Sequence, residues 1–420
     1  MTPALRRQGL VIVITLATAY VASHFFRASN VTIGLDLMRD LSIGPEALGA
    51  LTGAFFFGFS AMQIPCGFFF DRYGPRLTVF GMLLLATVGG LVFTLATSWP
   101  LLLTGRVLMG AGFGVMLIGS MVVISRWFTP DRFSTMAGMV MSIGLIGNLL
   151  ATTPLAWGAE QIGWRGVFAI VVLFTFVSAI AVFLVVRDAP PDHPFMHRKT
   201  ETAGEMLRGL GEVLRNRRLH FILVLNFCNY ACTFTVQGLW GGPFLREVHG
   251  LSKIQSGNVL LSAVVAYQVG VLLFGPLDRL LDTRKWIVVA GTVVIASILA
   301  TLGLTSGGPA WLAVGSIIAI GFFSASSTMI MTHGRGVIPD RLIGRGMATI
   351  NTAVMFGVAC MQSLSGIILG LFPAMADGTR SELAYRGLFG FMAVVLLVAV
   401  SIYAQVADVR PSDELRTKPV

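Results

Sequence analysis

This chain of 420 residues has 55% hydrophobic and only 12% charged side chains, whereas about a quarter of the residues in a soluble domain carry charge. Its mean hydropathy is +0.80 and its formal net charge is +10. This composition excludes an ordinary soluble protein, and because the basic residues are divided among short segments, nucleic-acid binding has no support.

Apolar stretches of about 20 residues, each bounded by charges or turn residues, predict twelve membrane spans. They lie near 9–36, 47–70, 78–97, 101–125, 134–157, 165–186, 219–245, 255–277, 286–305, 310–333, 346–371 and 386–406. Hydrocarbon offers no partner for backbone N–H and C=O groups, so the spans must be helices. The predicted fold class is therefore an all-α integral membrane protein.

The first span follows Arg6 and Arg7, as the apolar part of a signal peptide would. No cleavage site of small residues precedes the next apolar stretch, which begins at Val31. We therefore interpret the first span as a retained helix.

Charged landmarks recur in the same order in both halves of the chain. Asp71-Arg72 pairs with Asp278-Arg279 at an offset of 207, and Pro130-Asp131-Arg132 pairs with Pro339-Asp340-Arg341 at 209. GWRGVF at 163–168 pairs with AYRGLF at 384–389 at 221. This repetition predicts a duplication, with six-helix bundles at 1–186 and 219–420 joined by a linker at 187–218.

The distribution of positive charge predicts the orientation. If the N-terminus is cytoplasmic, 22 of the 30 lysines and arginines fall on cytoplasmic segments, so both termini should lie in the cytoplasm. The linker carries Pro190, Pro191 and Pro194 before a basic amphipathic stretch, which we expect along the membrane surface.

The four cysteines are expected to pack rather than to bind metal. Cys66, Cys228, Cys232 and Cys360 all lie in apolar spans, and Cys228 and Cys232 have no nearby His or carboxylate in the sequence. We predict no metal, no cofactor and no enzymatic activity, since no nucleophile–base set or carboxylate pair has workable spacing.

These features resemble the major facilitator superfamily, whose transporters have two pseudo-symmetric six-helix bundles. GFFFDRYGPR is similar to its loop motif G-x-x-x-D-R-x-G-R-[KR] at Gly67, Asp71, Arg72, Gly74 and Arg76, with Pro75 where a basic residue is usual. RVLMGAGFG at 106–114 is similar to its fourth-span pattern. The antiporter pattern G-x-x-x-G-P-x-x-G-G is not matched at 144–154, which disfavours a drug/proton antiporter.

The resemblance implies that the repeated charged loops gate access to the solute. Asp71 would lie at the cytoplasmic end of the second span, and ion pairs present in one access state alone would bias the conformational equilibrium. The alternative is that these charges only fix topology. The predicted gating residues are Gly67, Asp71, Arg72, Gly74, Arg76, Asp278, Arg279 and Arg284.

A polar stripe interrupts the first span. Tyr20, His24 and Arg27 recur at spacings of four and three residues and so share one helical face. A membrane arginine is costly unless it meets water, an anion or a partner. FFRASN at 25–30 resembles the first-span arginine region of the organophosphate/phosphate exchangers, in which that arginine binds the anionic group. Snorkelling of Arg27 toward the outer interface is the alternative.

The seventh span has a second polar stripe. Its members recur at steps of three and four residues, and the resemblance implies that the first and seventh spans face each other across a cavity. We predict that Asn226, Asn229, Tyr230, Gln237 and Trp240 bind solute together with Tyr20, His24 and Arg27. Other amides, Gln63, Gln268, Asn351 and Gln362, are candidates for solute contacts or for hydrogen bonds between helices.

Arg106 is the second arginine inside a span. The resemblance implies a role in proton coupling or in helix positioning, and Asp36 is the nearest acidic candidate in the first half. The two roles stay open.

Two function classes follow. The favoured one is a secondary transporter, a monomer in the bacterial inner membrane that moves a small organic solute, with an anion indicated by Arg27 and H+ as the candidate coupling ion. No G-x-x-x-x-G-K-[ST] run points to ATP use. The alternative is a transporter-like sensor that binds solute and signals to a membrane partner.

Overall fold

The structure is a computed structural model that describes residues 3–190, 203–339, 342–373, 375, 379–410 and 412. Within these residues it contains helices and no β-strand. Part of the predicted linker, with Pro191 and Pro194, lies outside the described residues, as do Asp340 and Arg341 and the side chain of Asp71. The all-α membrane fold predicted from composition is confirmed.

Eight helices precede the linker. They are α1 Pro3–Ala28, α2 Asn30–Leu41, α3 Pro45–Gln63, α4 Pro65–Leu95, α5 Trp99–Phe113, α6 Met116–Trp127, α7 Pro130–Leu150 and α8 Thr153–Val185. Several begin with proline in the first turn, where its missing N–H costs no hydrogen bond.

Ten further helices lie among the described residues after 190. They are α9 Ala203–Leu214, which lies within the predicted linker, α10 Arg217–Thr235, α11 Gly241–Glu247, α12 Lys253–Phe274, α13 Leu277–Leu280, α14 Lys285–Thr305, α15 Ala310–Ser324, α16 Thr328–Gly336, α17 Ile343–Gly370 and α18 Glu382–Tyr403. A π-helical turn at Val236–Trp240 connects α10 to α11, and a 3₁₀ turn at Ala325–Ser327 connects α15 to α16.

Ten helical stretches of the described chain are long and apolar enough to cross a membrane. The two remaining predicted spans, 47–70 and 134–157, are each interrupted near their C-terminal end. Pro65 follows the end of α3, and Pro154 follows the end of α7. Because proline cannot donate to the preceding turn, it starts a new helix rather than continuing the old one.

Two glycines set the bends after these interruptions. Gly74 in α4 has φ 76° and ψ 161°, and Gly163 in α8 has φ 74° and ψ 158°. This conformation strongly favours glycine, because a Cβ would clash with the backbone. The third and sixth predicted spans therefore both begin just after a glycine that turns the chain.

The chain divides into two compact units. Unit 1 comprises Met1–Ile33 and Ala54–Met206, and unit 2 comprises Gly34–Gly53 and Leu207–Val420. In unit 1, α1 packs on α7 and α4 packs on α5 and α8; in unit 2, α10 packs on α17 and α14 on α18. The predicted boundaries at 186 and 219 stay a prediction.

Unit 2 includes a close crossing between α3 and α17. A Cβ added at Gly49 would lie 2.5 Å from the Gln362 carbonyl oxygen and 2.9 Å from the Gly366 Cα. A Cβ at Gly366 would meet the Pro45 carbonyl oxygen. The two helix backbones approach so closely only because both positions are glycine, the usual means of packing helices within lipid.

Candidate solute-binding and gating residues

The polar stripe of the first span lies inside unit 1. Tyr20, His24 and Arg27 are 5%, 6% and 8% exposed, so the Arg27 head group is buried against the unit's own helices rather than extended outward. Arg27 Nη2 lies 2.6 Å from His24 Nδ1, and the rings of Tyr20 and His24 meet edge to face at 4.6 Å. We call these three residues and Asn148 the Arg27 cluster.

Helix α7 determines the position of the Arg27 cluster. Asn148 in α7 presents its side-chain amide 3.2 Å from His24 Nδ1. Gly144 and Gly147 let α7 approach, since a Cβ at either would strike Tyr20, Val21 or His24. An arginine can only donate, so His24 Nδ1 accepts from Arg27 and the ring holds the guanidinium in place.

Arg106 ties α5 to the junction between α1 and α2. It is 1% exposed, its Nη1 donates to the Phe26 carbonyl oxygen at 2.9 Å, and its Nη2 donates to Asn30 Oδ1. Its guanidinium also lies 4.3 Å from the centroid of the Phe93 ring. The carbonyl of Phe26 belongs to the last turn of α1, which lacks partners within its own helix. These contacts join α5 to the junction between α1 and α2, and the choice between proton coupling and helix positioning stays a prediction.

Asp36 forms an ion pair with Lys253, and both residues belong to unit 2. Its Oδ2 accepts from Lys253 Nζ at 2.7 Å, and both side chains are partly buried, with 28% and 16% exposed. Asp36 is thus paired at the start of α12, whereas the contacts of Arg106 lie in unit 1.

The polar face of the seventh span contacts two different helices. Asn226 Nδ2 donates to the Ile350 carbonyl oxygen of α17 at 3.2 Å, and Asn229 Nδ2 donates to Thr292 Oγ1 of α14 at 2.8 Å. Both asparagines are buried. These bonds support the alternative that the two amides join helices.

The other predicted solute-binding residues of the seventh span lie on the π-helical turn or just before it. Tyr230 is half-buried and stacks on Phe234 with ring centroids 5.5 Å apart. Trp240 is 1% exposed, and its Nε1 donates to Ser365 Oγ of α17 at 2.7 Å. Gln237 lies on the π turn itself.

The first charged loop is anchored to the end of α8. The backbone N–H of Arg76 donates to Asp188 Oδ1 at 2.7 Å, and Arg76 Nε donates to the Phe183 carbonyl oxygen at 2.9 Å. A Cβ at Gly74 would meet the Asp188 carboxylate. Arg72 lies beside the Phe68 and Tyr73 rings, and Gly67 has open space around it.

The second charged loop is anchored in the same way. Asp408, after α18, accepts hydrogen bonds from Thr283 Oγ1 and from the backbone N–H groups of Arg284 and Lys285. Arg284 Nε also lies 3.4 Å from Asp278 Oδ2, and both residues are buried, while Arg279 is exposed. Partial burial raises the pKa of the Asp408 carboxyl, but these hydrogen bonds outweigh it and hold the pKa below its ordinary value.

Asp188 and Asp408 are functional candidates that sequence reasoning missed. Each follows the last span of its half, each caps the start of the third span of that half, and they are 220 residues apart. That offset is almost the 221 of the GWRGVF and AYRGLF pair, so the repeat itself was a signal for them.

A search of the described residues finds no group of three or more His, Cys, Asp or Glu side chains arranged to hold a metal ion. Cys66, Cys228, Cys232 and Cys360 are free thiols within apolar surroundings.

Comparison with known proteins decides the family. The sequence profile of the Major Facilitator Superfamily matches residues 16–359 and, a second time, 222–419. The chain belongs to the Major Facilitator Superfamily. It is an integral membrane protein and a secondary transporter of a small organic solute, as the sequence predicted.

Two curated relatives and one solved structure illustrate the likeness. The chain is 23% identical to the hexuronate transporter of Escherichia coli K12 over 97% of this chain and 96% of that one. It is 23% identical to a probable galactarate/D-glucarate transporter of Bacillus subtilis over 77% of each chain. The crystal structure of a nucleoside transporter has a TM-score of 0.77, with 12% identity over 94% of this chain and 99% of that one, and thus shares the fold.

Proposed function

We propose that this transporter carries a sugar acid, a small organic anion with a carboxylate and several hydroxyl groups, and that Arg27 binds the carboxylate. The observation that carries the proposal is the buried guanidinium of Arg27, held by His24 within an apolar span. A charged side chain buried within a membrane segment costs free energy unless it has a functional partner, so the burial of Arg27 in the last turn of α1 points to function. The relatives named for hexuronate and for galactarate/D-glucarate transport support this solute class.

The solute would move by alternating access, with the monomer in the cytoplasmic membrane of a bacterium and both termini in the cytoplasm. The excess of lysine and arginine on the predicted cytoplasmic segments supports this orientation. We propose H+ as the coupling ion, because His24 places a titratable ring directly beside Arg27.

The two charged loops would gate access to the solute. What supports this is their common anchoring, since Arg76 binds Asp188 and Lys285 binds Asp408 through backbone N–H groups. A loop fixed to the last span of its own half would move together with that half as a rigid body.

Binding measurements on the detergent-purified protein test the solute class. D-Glucuronate should raise the unfolding temperature, whereas D-glucose, which has the hydroxyls without the carboxylate, and cationic D-glucosamine should not. Arg27→Ala should weaken D-glucuronate binding about 10- to 100-fold, as expected for loss of a charged hydrogen bond. Arg27→Lys should restore only part of it, because a lysine lacks the bidentate fork.

Arg165→Ala is the matched control, because Arg165 lies at the start of the sixth span beside Trp164. Its D-glucuronate affinity should equal that of the unmodified protein. Equal affinity of the Arg27→Ala variant, or a preference for D-glucose over D-glucuronate, would remove the proposal.

A further inference from the structure

Gln362 in α17 is a buried amide whose hydrogen-bonding groups are unused. The side chain is 0% exposed, and within the described residues neither its Oε1 nor its Nε2 has a hydrogen-bond partner. Burying an amide in this way costs about 1–3 kcal/mol, so nearly all such groups in proteins are paired. Gln63, by contrast, is a buried amide that donates to the Gly114 carbonyl oxygen at 2.8 Å.

The position of Gln362 adds a second observation. Ser365 lies three residues further along the same face of α17, and its hydroxyl accepts from Trp240 Nε1 at 2.7 Å. That face therefore packs against the π-helical turn Val236–Trp240. Single π turns within helices occur frequently at functional sites.

The π turn has an unused amide of its own. Gln237 Nε2 is buried and has no hydrogen-bond partner among the described residues. Two amides with unsatisfied groups therefore lie on elements of unit 2 that are joined by the Trp240–Ser365 bond. Each buried group without a partner needs an explanation, and a ligand that bound both amides would explain the two together.

The chemistry of the two amides specifies what they can bind. An amide offers N–H donors and a carbonyl acceptor side by side, and a hydroxyl group both donates and accepts. Adjacent hydroxyls of a sugar acid satisfy both sides of one amide at once. A carboxylate accepts only, so it would leave Gln362 Oε1 unpaired and facing a negative charge.

We propose that Gln362, assisted by Gln237, forms a hydroxyl-binding subsite for the solute. This inference rests on the proposed function, since it takes the solute to be a sugar acid. Sites built to hydrogen-bond a hydroxyl discriminate strongly against analogues that lack it, because their buried polar groups are then left unpaired.

Calorimetric titration of Gln362→Met tests the subsite, because methionine keeps the length of the side chain and removes both polar atoms. D-Glucuronate is compared with cyclohexanecarboxylate, which has a six-membered ring and a carboxylate but no hydroxyls. The unmodified protein should prefer D-glucuronate, and Gln362→Met should weaken D-glucuronate binding about 10- to 100-fold and remove most of that preference. Gln237→Met should have the same effect to a smaller degree.

Stability gives an independent readout. Gln362→Met removes an unpaired buried amide, so the solute-free variant should unfold at the same temperature as the unmodified protein or at a higher one. Gln63→Met is the matched control for stability: it breaks the bond to the Gly114 carbonyl, so it should lower the unfolding temperature.

An affinity of Gln362→Met for D-glucuronate within twofold of the unmodified protein overturns the subsite. So does a fall in unfolding temperature as large as that of Gln63→Met, which would identify a structural amide that binds only a buried water. If Arg27→Ala loses D-glucuronate while Gln362→Met keeps it, the subsite fails and the proposed function stands. If the unmodified protein binds no sugar acid, both fail.

Discussion

Arg106 is a buried charged side chain that donates hydrogen bonds to other groups of the protein. Its guanidinium donates to Phe26 and to Asn30, on either side of the break between α1 and α2. Helix α1 ends one residue beyond Arg27, so the bonds of Arg106 hold the end of the helix that carries the proposed carboxylate ligand.

We therefore expect Arg106→Ala to reduce stability by about 2–3 kcal/mol, because it removes two buried hydrogen bonds from a charged donor, one to the Phe26 carbonyl and one to Asn30 Oδ1. Arg106→Lys should recover only part of the loss, since one ammonium cannot reproduce both directed bonds. Thermal unfolding in detergent measures both effects. Arg39→Ala, on an exposed position, is the control, and equal stability of Arg106→Ala and Arg39→Ala would contradict a positioning role.

At the residue scale, the sequence predicted which polar side chains share a helical face better than it predicted their hydrogen-bond partners. The spacing of Tyr20, His24 and Arg27 was enough to place them on one helical face, because helical periodicity is local. Asn148 could not be predicted, since its contact with His24 depends on how α7 packs on α1. The role of Gln362 depends in turn on which partners are missing, which the sequence does not reveal.

At the scale of elements, the two capping aspartates make the clearest prediction. Asp188→Asn and Asp408→Asn should each cost about 0.5–2 kcal/mol, as for loss of a helix cap, because an amide accepts less strongly than a carboxylate. Both should also slow uptake, since each loosens a charged loop. Glu160→Gln, an exposed acidic position in α8, should change neither property.

Measuring both stability and uptake in these variants shows whether the charged loops gate access to the solute or only fix the membrane topology. Slower uptake in Asp188→Asn and Asp408→Asn with normal insertion supports gating. Uptake at the rate of the Glu160→Gln control would contradict it.

The crossing of α3 and α17 makes a second prediction at this scale. Gly49→Val places a branched side chain where a single Cβ already lies within 2.9 Å of the Gly366 Cα, so the observed packing cannot form. We expect normal amounts of membrane-inserted protein but uptake at least tenfold slower. Gly81→Ala is the control, because a Cβ at Gly81 meets nothing within 4 Å. Normal uptake by Gly49→Val would show that this packing is not needed for transport.

The boundaries of elements were less predictable than their existence. Ten of the twelve predicted spans correspond to long apolar helical stretches of the described chain, and the interruptions at Pro65 and Pro154 lie inside the other two. A span tolerates proline when neighbouring helices satisfy the freed backbone groups, so sequence alone does not say whether the helix bends or stops. The glycine bends at Gly74 and Gly163 are visible only in their backbone angles.

At the scale of the whole molecule, composition and repetition predicted a duplicated membrane protein, and the motifs GFFFDRYGPR and RVLMGAGFG carried the resemblance to the family. The low content of charged residues indicated a membrane protein, and the recurrence of Asp71-Arg72 at Asp278-Arg279 indicated a duplication. The family profile matches the chain twice. Solute identity is harder to predict, because it depends on a few polar side chains whose directions follow from packing. Arg27 was the one residue whose chemistry alone pointed to an anion.

The most direct test of the account is uptake of radiolabelled D-glucuronate by the purified protein in sealed proteoliposomes without ATP. We predict accumulation above that of protein-free vesicles, greater with an imposed proton gradient, and abolished in Arg27→Ala but not in Arg165→Ala. Binding of D-glucuronate in detergent without uptake under any imposed gradient would contradict transport and identify a sensor instead.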